Sequence, residues 1–248
     1  MNTEVITLNE QDKKSNVLVK IKSYWKIVTT TFDTMMVLLR MSKLIINPND
    51  VSPIFKMKAF RNHKSFKLAL ESLHSDPETH EMIVSRYLWP KPLDLDELSK
   101  LPEGTLGHGF AQFMKKNKLT VVFYPELKGE VDDDINYMRL RARQTHDIHH
   151  YVLGYPPVAT GEMSISAFYL AQNKIPLSAL LLGIGFFVMI LKHPNKCDEM
   201  VNGIVKGWQT GKGASKKFLG VKWEEMFNTP IDDVRKMLNV EVNDSKIS

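Results

Sequence analysis

DDDINYMRLRARQTHDIHHYVLGYPPVATGE, residues 132–162, sets the helical pattern of this chain. Its acidic start, Asp132-Asp133-Asp134, suits the positive end of a helix dipole, and the pattern stays helical through about Leu153. Gly154-Tyr155-Pro156-Pro157 breaks that helix, and Thr160 is a suitable N-cap for the next helix, which carries Glu162. The stretch therefore predicts two consecutive helices joined by a short turn.

Four side chains in this stretch are typical metal ligands: His146, Asp147, His150 and Glu162. On a helix that turns about 100° per residue, His150 lies about 40° and Asp147 about 100° from His146, so one arc carries two imidazoles and a carboxylate. Two nitrogen and two oxygen donors suit zinc, iron, manganese or cobalt and tolerate magnesium weakly. The spacing favours a divalent-metal site.

Structural roles explain the same residues without a metal. Asp147 can pair with Arg143 one turn earlier, and Glu162 can stabilise the N-terminus of its own helix. His149 points about 60° from His146 on the other side of the arc, so we interpret it as a residue behind the ligands or on the surface. Spacing alone leaves metal binding and these structural roles equally open.

Two arginines precede the histidines on the same helical face. Arg139 and Arg143 lie in line with His146 and His150 on the helical wheel. A guanidinium group there can hold a carboxylate or phosphate through two hydrogen bonds, and Arg143 is the better placed of the two. The alternative is a solvated basic face.

Two other metal chemistries deserve comparison. Glu71 and His74 form an E-x-x-H pattern that could join Asp147 and His150 in a ferritin-like di-metal centre, although two further bridging carboxylates would be needed. A His-Asp pair is also the core of metal phosphohydrolases. Those enzymes need another upstream histidine and a downstream aspartate, and Glu162 fits that plan poorly.

The remaining chain is also predicted to be helical. An apolar period predicts a long helix from Trp25 to Ile45, and Leu119–Tyr124 has isolated strand propensity. Shorter helices are predicted at about Ser65–His74, Pro77–Leu88, Leu95–Lys100, Thr105–Lys116, Pro176–Leu191, Asn195–Trp208 and Ile231–Leu238. The predicted fold is an all-α, single-domain multi-helix bundle over residues 21–240. Residues 1–20 form a flexible N-terminal segment and 241–248 a C-terminal tail.

The composition excludes some kinds of site and some kinds of ligand. The single cysteine, Cys197, excludes an intramolecular disulfide and a cysteine-based zinc cluster. The net charge of +5 permits contact with anionic lipid or acidic substrates, but no long Lys/Arg block of the nucleic-acid-binding type is present. The N-terminal segment resembles neither a signal peptide nor a transit peptide, so we expect a cytoplasmic protein or one peripheral to the inner face of a membrane.

The most hydrophobic stretch is Leu177–Leu191, which is apolar on all sides. Its 15 residues fall short of the roughly 20 that a membrane-spanning helix needs. We interpret it most simply as the central core helix. It could also line a tunnel for a long apolar ligand, with Gly183 and Gly185 leaving room, or face a membrane.

These motifs resemble the coenzyme Q biosynthesis protein 4 family. The family signature, H-D-x-x-H followed by eleven residues and a glutamate, is met by the stretch from His146 to Glu162. The resemblance runs from about residue 25 to 240. Further matching segments are Leu101–Gly107, Asp133-Asp134 with Tyr137 and Arg141, Trp208 with Gly211, and Val221–Glu225 with Arg235. Because no transit peptide is present, a bacterial-type member is expected.

The resemblance implies an all-helical protein with a hydrophobic cavity for a polyprenyl tail. It implies one divalent metal, usually zinc, on His146, Asp147, His150 and Glu162, and peripheral association with membranes. The implied activity is a carbon–carbon lyase that decarboxylates a polyprenylated hydroxybenzoate at ring carbon 1, with or without oxidation. The alternative is a non-catalytic, prenyl-lipid-binding scaffold with a structural metal. Expected partners are other quinone-biosynthesis proteins and a second copy of this chain.

Overall fold

The computed structural model describes residues 18–25, 28, 35, 64–89, 92–121 and 133–242 of the chain. The chain divides into two compact units, Met1–Arg61 and Asn62–Ser248, and each is described by itself. In the first unit, residues 18–25, 28 and 35 are helical. Most of the predicted Trp25–Ile45 helix and most of both predicted flexible termini lie outside the described residues. The predicted domain boundaries stay predictions.

The regular secondary structure of the second unit's described residues is helical, apart from one isolated bridge. It contains α1 (Lys64–His74), α2 (Pro77–Ser85), α3 (Leu95–Leu98), α4 (Leu106–Lys116), α5 (Asp134–Leu153), α6 (Ala159–Asn173), α7 (Pro176–Lys192), α8 (Cys197–Gly213) and α9 (Ile231–Met237). Three short 3-10 helices cover Pro194–Lys196, Phe218–Gly220 and Trp223–Met226.

The all-α fold class is confirmed. Within the described residues there is no strand, and Thr105 and Pro230 form an isolated antiparallel bridge. Of the predicted strand, residues 119–121 have no regular structure, and 122–124 lie outside the described part. The predicted hydrophobic cavity or tunnel stays a prediction.

Helix α5 begins and ends on local signals that the sequence predicts. The Asp133 carboxylate caps the N-terminus by accepting the Asn136 backbone N–H at 2.9 Å. At the other end, Gly154 takes a left-handed conformation with a φ of 70°, which favours glycine. The first end is therefore fixed by a side chain and the second by a backbone conformation, and both signals lie next to the helix in sequence.

The start of α6 differs from the prediction. Thr160 was expected to be the N-cap, but Val158 occupies that position and the helix begins at Ala159. The reason is the fold-back of the Pro156-Pro157 turn: the Pro156 carbonyl accepts the Val158 N–H at 2.8 Å. A Cβ atom on Gly161 would lie 1.8 Å from the same carbonyl oxygen, so the turn requires glycine there.

The main core lies between α4, α5, α6 and the segment from Phe218 to Val240. Ile148 and Val152 of α5 are fully buried in it, together with Phe168 of α6 and Trp223. This inward face of α5 leaves His146 on the other side of the helix, with 34% of its side chain exposed.

Helices α6 and α8 pack at very short range through glycine. A Cβ atom on Gly207 would lie 2.1 Å from the Ser164 backbone oxygen, and one on Gly211 would lie 2.7 Å from the Phe168 oxygen. These distances are too short for a Cβ atom, so any residue larger than glycine at either position would require a shift of one helix. The glycines of α8 thus hold it against the helix that carries Glu162.

Helix α7 is not the central core helix, and that interpretation is wrong. Of its 17 residues, only Ser178 and Met189 are buried. Phe187, Ile190 and Leu191 are 64–67% exposed. The space around α5 is filled by α4, α6 and Trp223, so α7 packs at the edge of the unit. Among the described residues, no helix is both long and apolar enough to cross a membrane.

Candidate metal centre

The end of α5 and the first turn of α6 bring three of the side chains predicted as metal ligands together. His146 and His150 lie one turn apart on α5, and Glu162 enters from α6 after the Gly154–Val158 turn. One nitrogen from each imidazole and one oxygen of the carboxylate lie within 4.8 Å of one another. His150 Nε2 is 3.1 Å from Glu162 Oε1, and His146 Nε2 is 3.5 Å from Glu162 Oε2. The geometry brings together three of the four predicted ligands.

The His150 imidazole is oriented as a metal ligand. Its Nδ1 lies 3.1 Å from the Tyr155 carbonyl oxygen, so Nδ1 carries the hydrogen and donates it. In the neutral ring, Nε2 therefore holds a lone pair. That atom is fully buried, lies beside a carboxylate oxygen and has no aligned hydrogen bond. A lone pair facing a carboxylate is stable only when a proton or a cation lies between them.

Charges within the site are strongly coupled. Burial alone would lower the pKa of His146, but hydrogen bonds to Asp147 and Glu162 outweigh it and raise that pKa to about 9. Burial alone would raise the pKa of Glu162, but the imidazoles of His146 and His150 hold it well below its usual range. Glu162 is therefore an anion throughout the neutral range, and the metal-free site keeps a proton on His146.

Asp147 lies at the other nitrogen of His146. Its Oδ1 is 3.5 Å from His146 Nδ1, whereas Nε2 of the same ring faces Glu162. A carboxylate behind a histidine ligand orients the ring and raises its basicity. Asp147 is thus placed to support His146, and its predicted role as a fourth ligand stays a prediction.

His149 lies behind the site and is completely buried. Its Nδ1 is 2.5 Å from the Tyr169 hydroxyl, and its ring packs against Phe218 and Trp223. Of its two predicted positions, the surface is excluded by this burial, and a position behind metal ligands stays a prediction. Burial lowers the pKa of His149 well below its usual value, so the ring is neutral.

Tyr169 was not predicted. Its ring centroid is 6.3 Å from that of His146 and its hydroxyl contacts His149, so it separates the ligand from the core. Burial and the nearby charges of Glu162 and Asp147 raise the pKa of Tyr169 well above 10. The available signal was its position seven residues after Glu162, two turns along one face of α6.

The arginines of α5 are half-buried rather than solvated. Arg139 and Arg143 are of intermediate exposure, and each has an interaction within the protein. The predicted contact between Arg143 and a substrate carboxylate or phosphate stays a prediction. Arg141 is fully buried instead and donates to the Val221 carbonyl at 2.6 Å.

The ferritin-like alternative does not form. His74 contacts His80 and Asp134, far along α5 from the motif. Among the described residues, the cluster of three or more metal-ligating groups consists of His146, His150 and Glu162. The site is therefore a single centre in which two nitrogens and a carboxylate suit a divalent cation.

Known proteins are similar to this chain in sequence and in fold. The family model "Coenzyme Q (ubiquinone) biosynthesis protein Coq4" matches residues 25–244. The mitochondrial ubiquinone biosynthesis protein COQ4 of Eremothecium gossypii is 32% identical over 155 residues, covering 60% of this chain and 46% of that protein. The mitochondrial COQ4 homolog of Danio rerio is 25% identical over 181 residues, covering 72% of this chain and 65% of that protein.

A crystal structure of a Nostoc punctiforme protein assigned to ubiquinone biosynthesis superposes with a TM-score of 0.69. It is 32% identical, and the match covers 81% of this chain and 95% of that one. Its helical fold is therefore the fold of this chain over most of its length. By contrast, the chain spans about half to two thirds of the length of the curated relatives named above.

Proposed function

The chain belongs to the coenzyme Q (ubiquinone) biosynthesis protein Coq4 family, and from this premise we propose that it is a metal-dependent decarboxylase of quinone biosynthesis. The proposed substrate is a polyprenylated hydroxybenzoate that loses its carboxylate at ring carbon 1. The observation that carries the proposal is the buried His150 Nε2, which lies 3.1 Å from Glu162 Oε1 without an aligned hydrogen bond, while Nδ1 of the same ring lies 3.1 Å from the Tyr155 carbonyl oxygen.

His146, His150 and Glu162 are the proposed ligands, and Asp147 either completes the set or orients His146. Zinc is the metal proposed first, and magnesium, manganese, iron and cobalt are the alternatives. When bound, the metal supplies a Lewis acid for a substrate oxygen. With 47% of the Glu162 side chain and 34% of His146 exposed, the ligands leave one side of the site open to solvent and substrate.

The proposed reaction needs no further cofactor. The bond between ring carbon 1 and the carboxylate carbon breaks, carbon dioxide leaves, and the electron pair stays on the ring carbon, which takes a proton from water. Arg143, one turn before the ligands on α5, is the proposed contact for the departing carboxylate. An oxidative form of the reaction would use dioxygen and water as further substrates: ring carbon 1 gains a hydroxyl group as carbon dioxide leaves, and dioxygen takes up the two electrons and two protons to become hydrogen peroxide.

An apolar region next to the ligands supports a prenylated substrate. Met163 directly follows Glu162 and packs with Met189 of α7 and Met200 of α8. Methionine side chains are flexible and adapt to apolar ligands of variable shape. We therefore propose that the prenyl tail runs from the ligands along this methionine cluster toward α7.

The exposed face of α7 supports peripheral contact with a membrane. Phe187, Ile190 and Leu191 are largely exposed, and Lys174 and Lys192 flank the helix. Apolar side chains framed by lysine suit the boundary of an anionic lipid surface. Homodimer formation and contact with other quinone-biosynthesis proteins are further parts of the proposal.

Product analysis tests the proposed activity. Purified protein is loaded with Zn²⁺, Mg²⁺, Mn²⁺, Fe²⁺ or Co²⁺ and incubated with a prenylated hydroxybenzoate, with and without dioxygen. We expect the decarboxylated ring in at least one condition, and its loss in Glu162→Gln. Unchanged substrate under all conditions, with metal content confirmed, would overturn the enzymatic claim.

A scaffold is the second candidate, because the three ligands join two helices across a turn. In that case the metal only holds α5 to α6, and the protein presents prenylated intermediates to other enzymes. The scaffold predicts that His146→Ala lowers the melting temperature while prenyl-lipid binding persists in the folded protein. The enzyme predicts that turnover fails even where folding is retained.

A further inference from the structure

A second pair of histidines lies near the opposite end of α5. His74 is the last residue of α1, and His80 lies in α2. Their Nδ1 atoms are 2.9 Å apart, and their rings meet edge to face with centroids 5.1 Å apart. Asp134, the first residue of α5, lies 3.0 Å from His74 Nε2 through its Oδ2. Three helices therefore meet at these two imidazoles.

Asp134 fixes which nitrogen of His74 is available. Arg86 NH2 lies 2.7 Å from Asp134 Oδ1 and keeps that carboxylate ionised, so it can only accept hydrogen bonds. His74 Nε2 must then carry the hydrogen that Asp134 accepts. In the neutral ring, His74 Nδ1 is left with a lone pair that points at His80. This is the carboxylate–histidine arrangement that supports histidine ligands in metal sites.

The His80 ring can interact with that lone pair in two ways. Without a metal, its Nδ1 carries a hydrogen and donates it to His74. With a metal, both Nδ1 lone pairs bind the same ion. Two nitrogens at the usual zinc distance lie about 3.3 Å apart in a tetrahedral site, so the two nitrogens must separate by about 0.4 Å and each ring must turn until its lone pair points at the ion. The His80 side chain is exposed and can make this movement.

We propose that His74 and His80 form a second, solvent-accessible site for a divalent transition metal, with Asp134 as the residue that orients His74. Two imidazoles favour zinc, nickel or copper over magnesium or calcium, which prefer oxygen ligands. Water completes the coordination, because His74 is 32% exposed and His80 is exposed. A bound ion would link α1 and α2 beside the start of the helix that carries the first centre.

Calorimetric titration of the metal-free protein with Zn²⁺ tests the proposal. We expect two binding phases, of which the tighter belongs to the centre at Glu162. His80→Asn should weaken the second phase at least tenfold and leave the first unchanged. Asp134→Asn should weaken the second phase by about tenfold, the usual cost of losing a carboxylate behind a histidine ligand. His193→Asn, an exposed histidine elsewhere, is the matched control and should change neither phase.

Nitrogen-15 spectra of the histidine rings separate a metal site from a hydrogen bond. We expect the Nδ1 signals of both His74 and His80 to shift with the second equivalent of Zn²⁺. A single binding phase up to millimolar Zn²⁺ would overturn the proposal. So would a second phase that His80→Asn leaves intact, or Nδ1 signals that do not respond. All three results leave the first centre untouched, so the failure of this site is distinct from that of the proposed function.

Discussion

The turn between α5 and α6 buries polar side chains, whereas α7 exposes apolar ones. His149 and His150 are fully buried beside that turn, and Phe187, Ile190 and Leu191 of α7 are about two thirds exposed. Polar side chains are usually exposed and large apolar side chains usually buried, so both regions reverse the usual distribution. Such reversals are informative about function. Around the histidines, hydrogen bonds of His149 to Tyr169 and of His150 to Tyr155 explain the burial, and they leave His150 Nε2 beside Glu162 for a cation. On α7, the exposed side chains call for an apolar partner instead.

Loss of a proposed ligand should cause the largest loss of Zn²⁺ affinity. Glu162→Gln keeps the size of the side chain but removes the charge between His146 and His150. We expect Zn²⁺ affinity to fall by about a thousandfold, which corresponds to about 4 kcal/mol. Competition against a chelating dye measures it. Glu199→Gln is the matched control, since Glu199 also lies exposed in a first helical turn, and equal affinities for the two variants would remove the centre as a metal site.

The next prediction concerns Met189, the buried apolar residue of α7, and the stability of the fold. Met189 is 6% exposed and packs with Met163 and Met200, so Met189→Ala should lower the free energy of unfolding by about 2–5 kcal/mol. Urea unfolding followed by circular dichroism gives the value. A change below 0.5 kcal/mol would mean that α7 is not held through this cluster.

Replacement of Asp147 should lower Zn²⁺ affinity less than replacement of Glu162 does. If it only orients His146 through Nδ1, Asp147→Asn lowers Zn²⁺ affinity by about 10–100-fold. If it is a ligand, the loss should match that of Glu162→Gln. The same dye competition ranks the two variants, so this comparison decides between three and four protein ligands.

Zinc affinity should depend on pH in one direction. The pKa of His146 is raised to about 9 in the metal-free protein, so a metal must displace its proton below that pH. Affinity should therefore rise about tenfold per pH unit between 6 and 8. By the same sign, the metal-free fold is stabilised by this proton below about pH 6.5 and loses that contribution as the pH rises through 9. An affinity that is flat from pH 6 to 8 would show that His146 is not protonated.

Local signals predicted most of the helices and three residues that the structure brings together at the candidate metal centre. The caps at Asp133 and Gly154 and the spacing of His146, His150 and Glu162 all lie within one short stretch, where helix geometry alone sets directions. Contacts between distant segments were not predictable in this way. The Glu224 carboxylate, for example, accepts the Trp89 Nε1–H at 2.6 Å across 135 residues.

Hydrophobicity misled the interpretation of α7 for a physical reason. A run of apolar residues indicates that the surface of a helix is unfavourable in water, but it does not identify the group that covers this surface. The close glycine contacts of Gly207 and Gly211 place α8 directly on α6, and this contact is invisible in the hydrophobic pattern of α7. The identity of the covering partner therefore depends on the packing of other helices.

The smallest effect belongs to the neighbour of Met189. Ile190 is 64% exposed, so Ile190→Ser should change the free energy of unfolding by no more than about 0.5 kcal/mol, against the large cost of Met189→Ala. The same variant should weaken binding to anionic lipid vesicles in a sedimentation assay, because an exposed apolar side chain contributes to membrane contact rather than to folding. A strong loss of stability in Ile190→Ser would instead mean that another part of the protein covers this face. Normal vesicle binding would direct the search for the apolar partner away from lipid.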